Sequence, residues 1–159
     1  MRVGVTGASG FIGQHATKAL RDAGHHVRAL VRRAPESDIP GVDDIRLIPS
    51  LGAKTDHTAL SAALGGLDVI VHLAARVHIM QGGDETSFMD TNVGGSVALI
   101  EAAARAGVPR FIFMSSVKAA GERSGTTPLS ASSTPAPEDA YGRSKLAAER
   151  ALLEIARAQ

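Results

Sequence analysis

Tyr141 and Lys145 stand four residues apart in Tyr-Gly-Arg-Ser-Lys, one turn of a helix, so a phenol and an ammonium share one face. A free phenol, with a pKa near 10, is too weakly ionised to act as a base at neutral pH. A lysine one turn along, together with the positive charge of an oxidised nicotinamide, favours the phenolate and lowers that value. Upstream, Ser115 and Ser116 close an apolar run, and the Ser116 hydroxyl can polarise a carbonyl or hold an alcohol. The chain opens with a second element of this chemistry, Gly7-Ala-Ser-Gly10-Phe11-Ile12-Gly13. Gly7 permits a tight exit from a strand, Gly10 lets backbone approach phosphates, and Gly13 lets the following helix pack close. The N-terminus of that helix offers unpaired N–H groups and partial positive charge to a pyrophosphate. A surface Tyr–Lys pair or a structural glycine turn is common alone. Their joint occurrence describes a hydride-transfer site with a bound dinucleotide.

The end of the second strand bears on which dinucleotide. A 2′-hydroxyl there usually meets an acidic residue and a 2′-phosphate meets arginine. Here Leu30-Val31-Arg32-Arg33 contains no Asp or Glu. Bidentate guanidinium contact suits Arg32 or Arg33 to a phosphate, so NAD(P) is expected with a lean toward NADP. The alternative is two solvated arginines at the start of a loop.

The elements that must position these groups alternate from the first residue. Apolar runs at Val3–Val5, Val27–Val31, Ile45–Ile48, Asp68–Leu73 and Arg110–Met114 are expected strands. Phe11–Ala23, Thr58–Leu64, a long stretch of about Glu85–Ala106, and Tyr141–Ala158 are expected helices. In the first helix the apolar spacing runs through Ile12, Ala16, Ala19 and Leu20; in the last, Lys145 and Glu149 form an i,i+4 charge pair. Pro35–Asp44 is a loop, as is a segment with Gly82-Gly83, and residues 121–140, with Pro128, Pro135 and Pro137 among small polar residues, form a mobile loop and not a second domain. This alternation implies a doubly wound parallel α/β sheet, Rossmann-like, with strand order 3-2-1-4-5 and a ligand crevice at the carboxyl ends of strands 1 and 4.

Five stretches carry a family resemblance: Thr6–Gly13, Asp68-Val-Ile-Val-His-Leu-Ala-Ala75, Asn92-Val-Gly-Gly95, Phe113-Met-Ser-Ser116 and Tyr141–Lys145. In this order they resemble the N-terminal part of an extended short-chain dehydrogenase/reductase of the nucleotide-sugar epimerase/dehydratase group. The resemblance implies Tyr141 as acid/base, Lys145 as its electrostatic partner and Ser116 as the substrate hydroxyl contact. It implies that Leu73, Ala74 and Ala75 lie along the cofactor, with Phe11 and Ile12 in its turn and Asn92 in the helix behind the site. The implied substrate is a nucleoside-diphosphate sugar, oxidised or reduced at C4, and a homodimer is the assembly such a protein would form. Dehydratases of the group place Asp-Glu after the active-site Ser or Thr, whereas Val117-Lys118 follows Ser116 here. Dehydration is therefore not expected, and His72–His78 and Ser115–Glu122 are similar to 4-epimerases or 4-ketosugar reductases of bacterial surface polysaccharides. Two departures stand out: Ala120 replaces a frequent aromatic residue before Gly121, and relatives run to roughly twice this length. A truncated enzyme without its substrate domain, its fifth strand an exposed apolar edge, is the expectation.

At 159 residues the chain supports one domain, and 44% apolar against 21% charged residues excludes a disordered composition. A net charge of +1 gives no general drive toward nucleic acid or an anionic membrane. The basic segment Lys18, Arg21, His25, His26, Arg28, Arg32 and Arg33 is split between a helix and a strand and lacks aromatics for stacking, so nucleic-acid binding is not expected. Without cysteine there are no disulfides, and His25, His26, His57, His72 and His78 lack metal-ligand spacing, so no metal is expected and these are loop and core histidines. No signal peptide or spanning segment is apparent, and the cytoplasm is the expected compartment. A non-catalytic dinucleotide-binding module of the same fold, or an interaction protein using its sheet edge, are the competing readings.

Overall fold

Strands β1 (Arg2–Thr6), β2 (His26–Val31), β3 (Asp44–Leu47), β4 (Val69–His72) and β5 (Phe111–Phe113) form one parallel sheet in the order β3-β2-β1-β4-β5. The computed structural model describes residues 1–77 and 84–158, so His78 and the Gly82-Gly83 pair lie outside the described residues. Thr6 is level with Leu30 of β2 on one side and His72 of β4 on the other, so β1 and its neighbours release their chains at one end of the sheet. That end is where the winding reverses, as the sequence implies.

The helices are α1 (Phe11–Asp22), α2 (His57–Leu64), α3 (Glu85–Phe88), α4 (Gly95–Arg105), α5 (Val117–Ala120) and α6 (Ala140–Ala158). Against one face of the sheet, Leu60, Leu64, Leu99, Ala102 and Ala103 pack on Leu30 and Ile70. On the other, Val3, Val5, Val27, Ala29 and Val69 form a second cluster with Ala8 and Ile39, and Leu20 packs against it. Each fully buried Leu or Ile contributes about 1.5–3 kcal/mol, so the α/β/α sandwich rests on aliphatic burial in a chain nearly free of aromatics. Among the described residues no helix is long and apolar enough to cross a membrane.

Four expectations require correction. The fully buried residues of α1 are Gly13 and Thr17; of the apolar spacing, Leu20 packs on the core and Ala16 is half-buried, but Ala19 is exposed and Ile12 is 55% exposed. The Thr17 hydroxyl lies within reach of the Gly13, Gln14 and Pro40 carbonyls, and giving its one proton to Pro40, the nearest at 2.7 Å, draws the Pro35–Asp44 loop against the helix. The long helix expected over Glu85–Ala106 is interrupted by a π-helical turn, Met89–Gly94, between α3 and α4. There Asp90 Oδ1 accepts the Ala53 N–H at 3.0 Å, so the turn lies where a neighbouring loop meets the helix. Arg28 is no solvated member of a basic patch: it is 5% exposed, pairs with Asp44 at 2.7 Å and donates to the carbonyls of Ala63 and Gly65. Those carbonyls end α2, where a cation is favoured. Lys145 is likewise buried rather than paired on the surface, and Glu149 turns to the Ser115 hydroxyl. In the two edge strands, Ile112 of β5 is 52% exposed and Leu47 of β3 is 62% exposed.

Candidate active site

The first turn after β1 shows what its glycines do. Gly7 has φ +70°, and a Cβ on it would lie 2.8 Å from the Ala74 nitrogen, so β4's exit runs directly against the turn. A Cβ on Gly13 would overlap the Gly7 carbonyl oxygen and approach that of Ala8 to 2.7 Å, closing helix onto turn. Gly10 donates its N–H to the Gly7 carbonyl at 3.0 Å and precedes α1 with an extended backbone. No side chain caps α1 and its first turn holds no acidic residue, whereas α2 and α3 are capped by Asp56 and Asp84. The amides at the start of α1 are thus left for an anion, a cradle that fits a pyrophosphate. Phe11, 84% exposed, and Ile12 begin that helix.

Half-buried Leu73, Ala74 and Ala75 follow β4, and the backbone of Leu73 and Ala74 lies against Gly7 of the turn. A buried hydrogen-bond chain, not visible in any motif, stiffens this junction. Ser96 Oγ donates to the Asn92 carbonyl at 2.6 Å, so it must accept from His72 Nε2–H at 2.9 Å. Nδ1 is then the acceptor for the Thr6 hydroxyl at 2.6 Å, and Thr6 Oγ1 accepts the Ala74 N–H at 3.2 Å. Burial, reinforced by the Lys145 charge, pushes the His72 imidazole down to about 3, which keeps it neutral and fixes this direction of bonding. The signal in the sequence would have been two polar residues, Thr6 and His72, ending otherwise apolar strands.

Asn92 joins the two halves of the site. Its Oδ1 accepts the Arg76 N–H at 2.7 Å, and its Nδ2 donates to the Arg76 carbonyl at 3.0 Å and to Ser144 Oγ at 2.9 Å. Ser144 in turn donates to the Tyr141 carbonyl at 2.7 Å. One buried amide thereby ties the backbone that follows β4 to the helix carrying Tyr141 and Lys145. The Tyr141 ring meets Phe88 edge-on with centroids 6.4 Å apart. Lys145 Nζ lies 3.9 Å above the Phe113 ring, a cation–π contact in a desolvated setting. Burial lowers its ammonium to about 8, against the raising influence of Glu149. Ser116 follows β5 and opens α5, its hydroxyl accepting the Lys118 N–H at 3.3 Å. Among the described residues, the side chains of Ser116, Tyr141 and Lys145 make no direct hydrogen bond to one another; each is held by its own partners. Arg32 and Arg33 are exposed where the chain leaves β2 and form no ion pair among the described residues.

The sequence pattern of the NAD dependent epimerase/dehydratase family matches residues 3–159. The chain belongs to that family. A UDP-glucose 4-epimerase of Vibrio cholerae is 35% identical over 96% of this chain and 46% of its own length. A 3 beta-hydroxysteroid dehydrogenase/Delta 5-->4-isomerase of Mycobacterium tuberculosis is 37% identical, over 96% of this chain and 42% of its own. The crystal structure of a UDP-glucose-4-epimerase from Stenotrophomonas maltophila, with bound NAD and formylated UDP-arabinopyranose, superposes with a TM-score of 0.82 at 28% identity. It covers 100% of this chain and 50% of its own. The chain thus spans about half the length of the relatives it matches.

Proposed function

We propose that this chain forms the dinucleotide-binding, proton-transferring half of a longer NAD(P)-dependent enzyme acting on a nucleoside-diphosphate sugar, as a 4-epimerase or a 4-ketosugar reductase. The observation that carries this reading is the Asn92 amide, which fastens the cofactor-side backbone at Arg76 to the helix bearing Tyr141 and Lys145. When bound at the glycine turn, the nicotinamide supplies the means of taking up or giving back a hydride at the sugar's C4. The amides opening α1 hold the pyrophosphate, and Leu73–Ala75 flank it. Ser116 holds the sugar hydroxyl; Tyr141 removes its proton and can return it. Lys145 is the electrostatic partner on the same helix, its charge little screened in a buried position. After Ser116 come Val117, 73% exposed, and Lys118, whose ammonium is bound to Asp139, so no acid stands there to eliminate water.

Plain alcohol oxidation on a steroid is the second reading, favoured by the hydroxysteroid dehydrogenase relative at 37% identity. The residue roles are the same and the substrate alone differs. Arg32 and Arg33 would receive a 2′-phosphate, and their contribution is read by competing NADP against NAD, the cofactor named for the solved epimerase relative. Supply of sugars to a bacterial surface polysaccharide, a cytoplasmic location and a homodimer complete the proposal; fractionation and sedimentation test the last two. The deciding experiment is titration of nicotinamide fluorescence, followed by incubation with UDP-glucose, UDP-galactose and a 3β-hydroxysteroid. Tyr141→Phe should lower turnover by about 100-fold or more with dinucleotide affinity nearly unchanged. Retained turnover would remove the tyrosine's role, and binding without turnover of any sugar would leave a non-catalytic module.

A further inference from the structure

Lys118 has no part in the chemistry above, yet it sits between the two segments that carry it. It is the second residue of α5, two positions after Ser116. Its Nζ reaches Asp139 Oδ2 at 2.6 Å and Glu122 Oε1 at 3.3 Å. Asp139, two residues before Tyr141, uses its other oxygen to accept the Gly142 N–H at 2.6 Å, and its backbone carbonyl accepts the Arg143 N–H at 3.0 Å. One carboxylate therefore caps the tyrosine helix and grips the lysine of the serine segment at once. The two segments also meet backbone to backbone, because a Cβ on Gly142 would lie 2.5 Å from the Lys118 carbonyl oxygen. Other ties are the bridge between Gly121 and Ala136, with the Ala136 N–H donating to the Ala120 carbonyl, and the Ser115 hydroxyl bond to Glu149 of α6. The hydrogen bond to Asp139 raises the Lys118 pKa. Burial would raise that of Asp139, but the bonds from Lys118 and Gly142 outweigh it and hold the carboxyl below its ordinary range.

We propose that Lys118 and Asp139 are positioning residues: their ion pair sets the Ser116 segment against the Tyr141 helix, so that the hydroxyl and the phenol address one substrate oxygen together. The inference rests on the roles given above to Ser116 and Tyr141. An exposed ion pair holding nothing would contribute little to stability and nothing to geometry. A pair that sets the spacing of two reacting groups acts on turnover, since a displacement on the order of 1 Å can cost about a hundredfold.

The test exploits the absence of cysteine from this chain. Spin labels on Val117→Cys of α5 and Arg150→Cys of α6, both exposed positions, report the separation of the two segments. The parent protein should give a narrow distance distribution, Lys118→Met and Asp139→Asn a broad or shifted one, and Lys118→Arg a narrow one again. With UDP-glucose and NAD as probes, Lys118→Met should lower kcat by about tenfold or more while KM and dinucleotide affinity stay within about twofold, and Lys118→Arg should recover most of it. An unchanged distribution in Lys118→Met overturns the proposal, as does a broadened one with parental kcat. Tyr141→Phe runs beside these variants. If it keeps turnover, the acid/base role of Tyr141 fails on its own account, while the distance measurement still decides whether the pair sets the geometry.

Discussion

Lowering the pH should destabilise this protein through one imidazole. His72 is 2% exposed, with both ring nitrogens bonded inside the sheet–helix junction, and burial with the nearby Lys145 charge takes its pKa from 6.5 down to about 3. Between those values the unfolded chain binds a proton that the folded chain refuses. The unfolded state therefore binds more protons, and stability falls as pH drops through this window. A full proton of difference is worth about 1.4 kcal/mol per pH unit. Allowing for partial protonation near the unfolded value, His72 should cost about 2 kcal/mol between roughly pH 7.5 and 5. For a chain of this size that corresponds to a Tm loss on the order of 4–8 °C beyond that of a reference variant. The reference is His72→Gln, which is less stable at neutral pH because it disturbs the Thr6 and Ser96 bonds, but lacks the titrating group. Urea unfolding of both proteins over this range gives the difference directly. Parallel pH profiles for the two would refute the argument and mean that the ring is either charged or hydrated when folded.

Other outcomes follow from the same geometry. Gly13→Ala places a methyl group on two backbone carbonyl oxygens that cannot swing away, so stability should fall by about 1–3 kcal/mol, and dinucleotide affinity, read by fluorescence titration, by about tenfold or more. Asn92→Ala removes three hydrogen bonds and leaves the Arg76 amide without its partner. A loss of about 3 kcal/mol is expected, or on the order of 10 °C in a thermal melt; a melt within about 2 °C of the parent would show that water replaces the amide without cost. Lys145, lowered from 10.5 to about 8 by burial, is deprotonated in the folded state before the unfolded chain releases its proton. Stability should therefore rise from about pH 8 toward 10.5, and Lys145→Met should flatten that rise in alkaline urea titrations.

The strand order and the glycine turn could be read from the sequence, because each depends on a repeated local pattern, whereas Asn92 is singled out only by the family resemblance. Val3–Val5 and Val69–Val71 are short and rich in β-branched residues, which favours buried strands over helices. The packed side of α1 could be read only in part: apolar spacing finds Leu20 but also selects exposed Ile12, whereas the turn's carbonyls demand a glycine at position 13. Thr6 and His72 are 66 positions apart, and nothing short of the sheet register brings them together. Lys118 and Asp139 escaped for a related reason: a charge next to a flexible-looking stretch ordinarily belongs to solvent. The edge strands were legible as apolar segments, and exposure of Ile112 follows from position in the sheet rather than from composition.

The π-helical turn at Met89–Gly94 has a consequence for how one long segment serves two surfaces. A wider turn carries one more residue than an α-turn, so what lies after it is rotated relative to what lies before. The leading portion aims Phe88 at the tyrosine, while the trailing portion aims Leu99, Ala102 and Ala103 into the aliphatic interior. Deleting a single residue here would bring the two portions into a common phase, so that a chain still helical by every spectroscopic measure could keep its interior or its aromatic contact with the phenol, but not both.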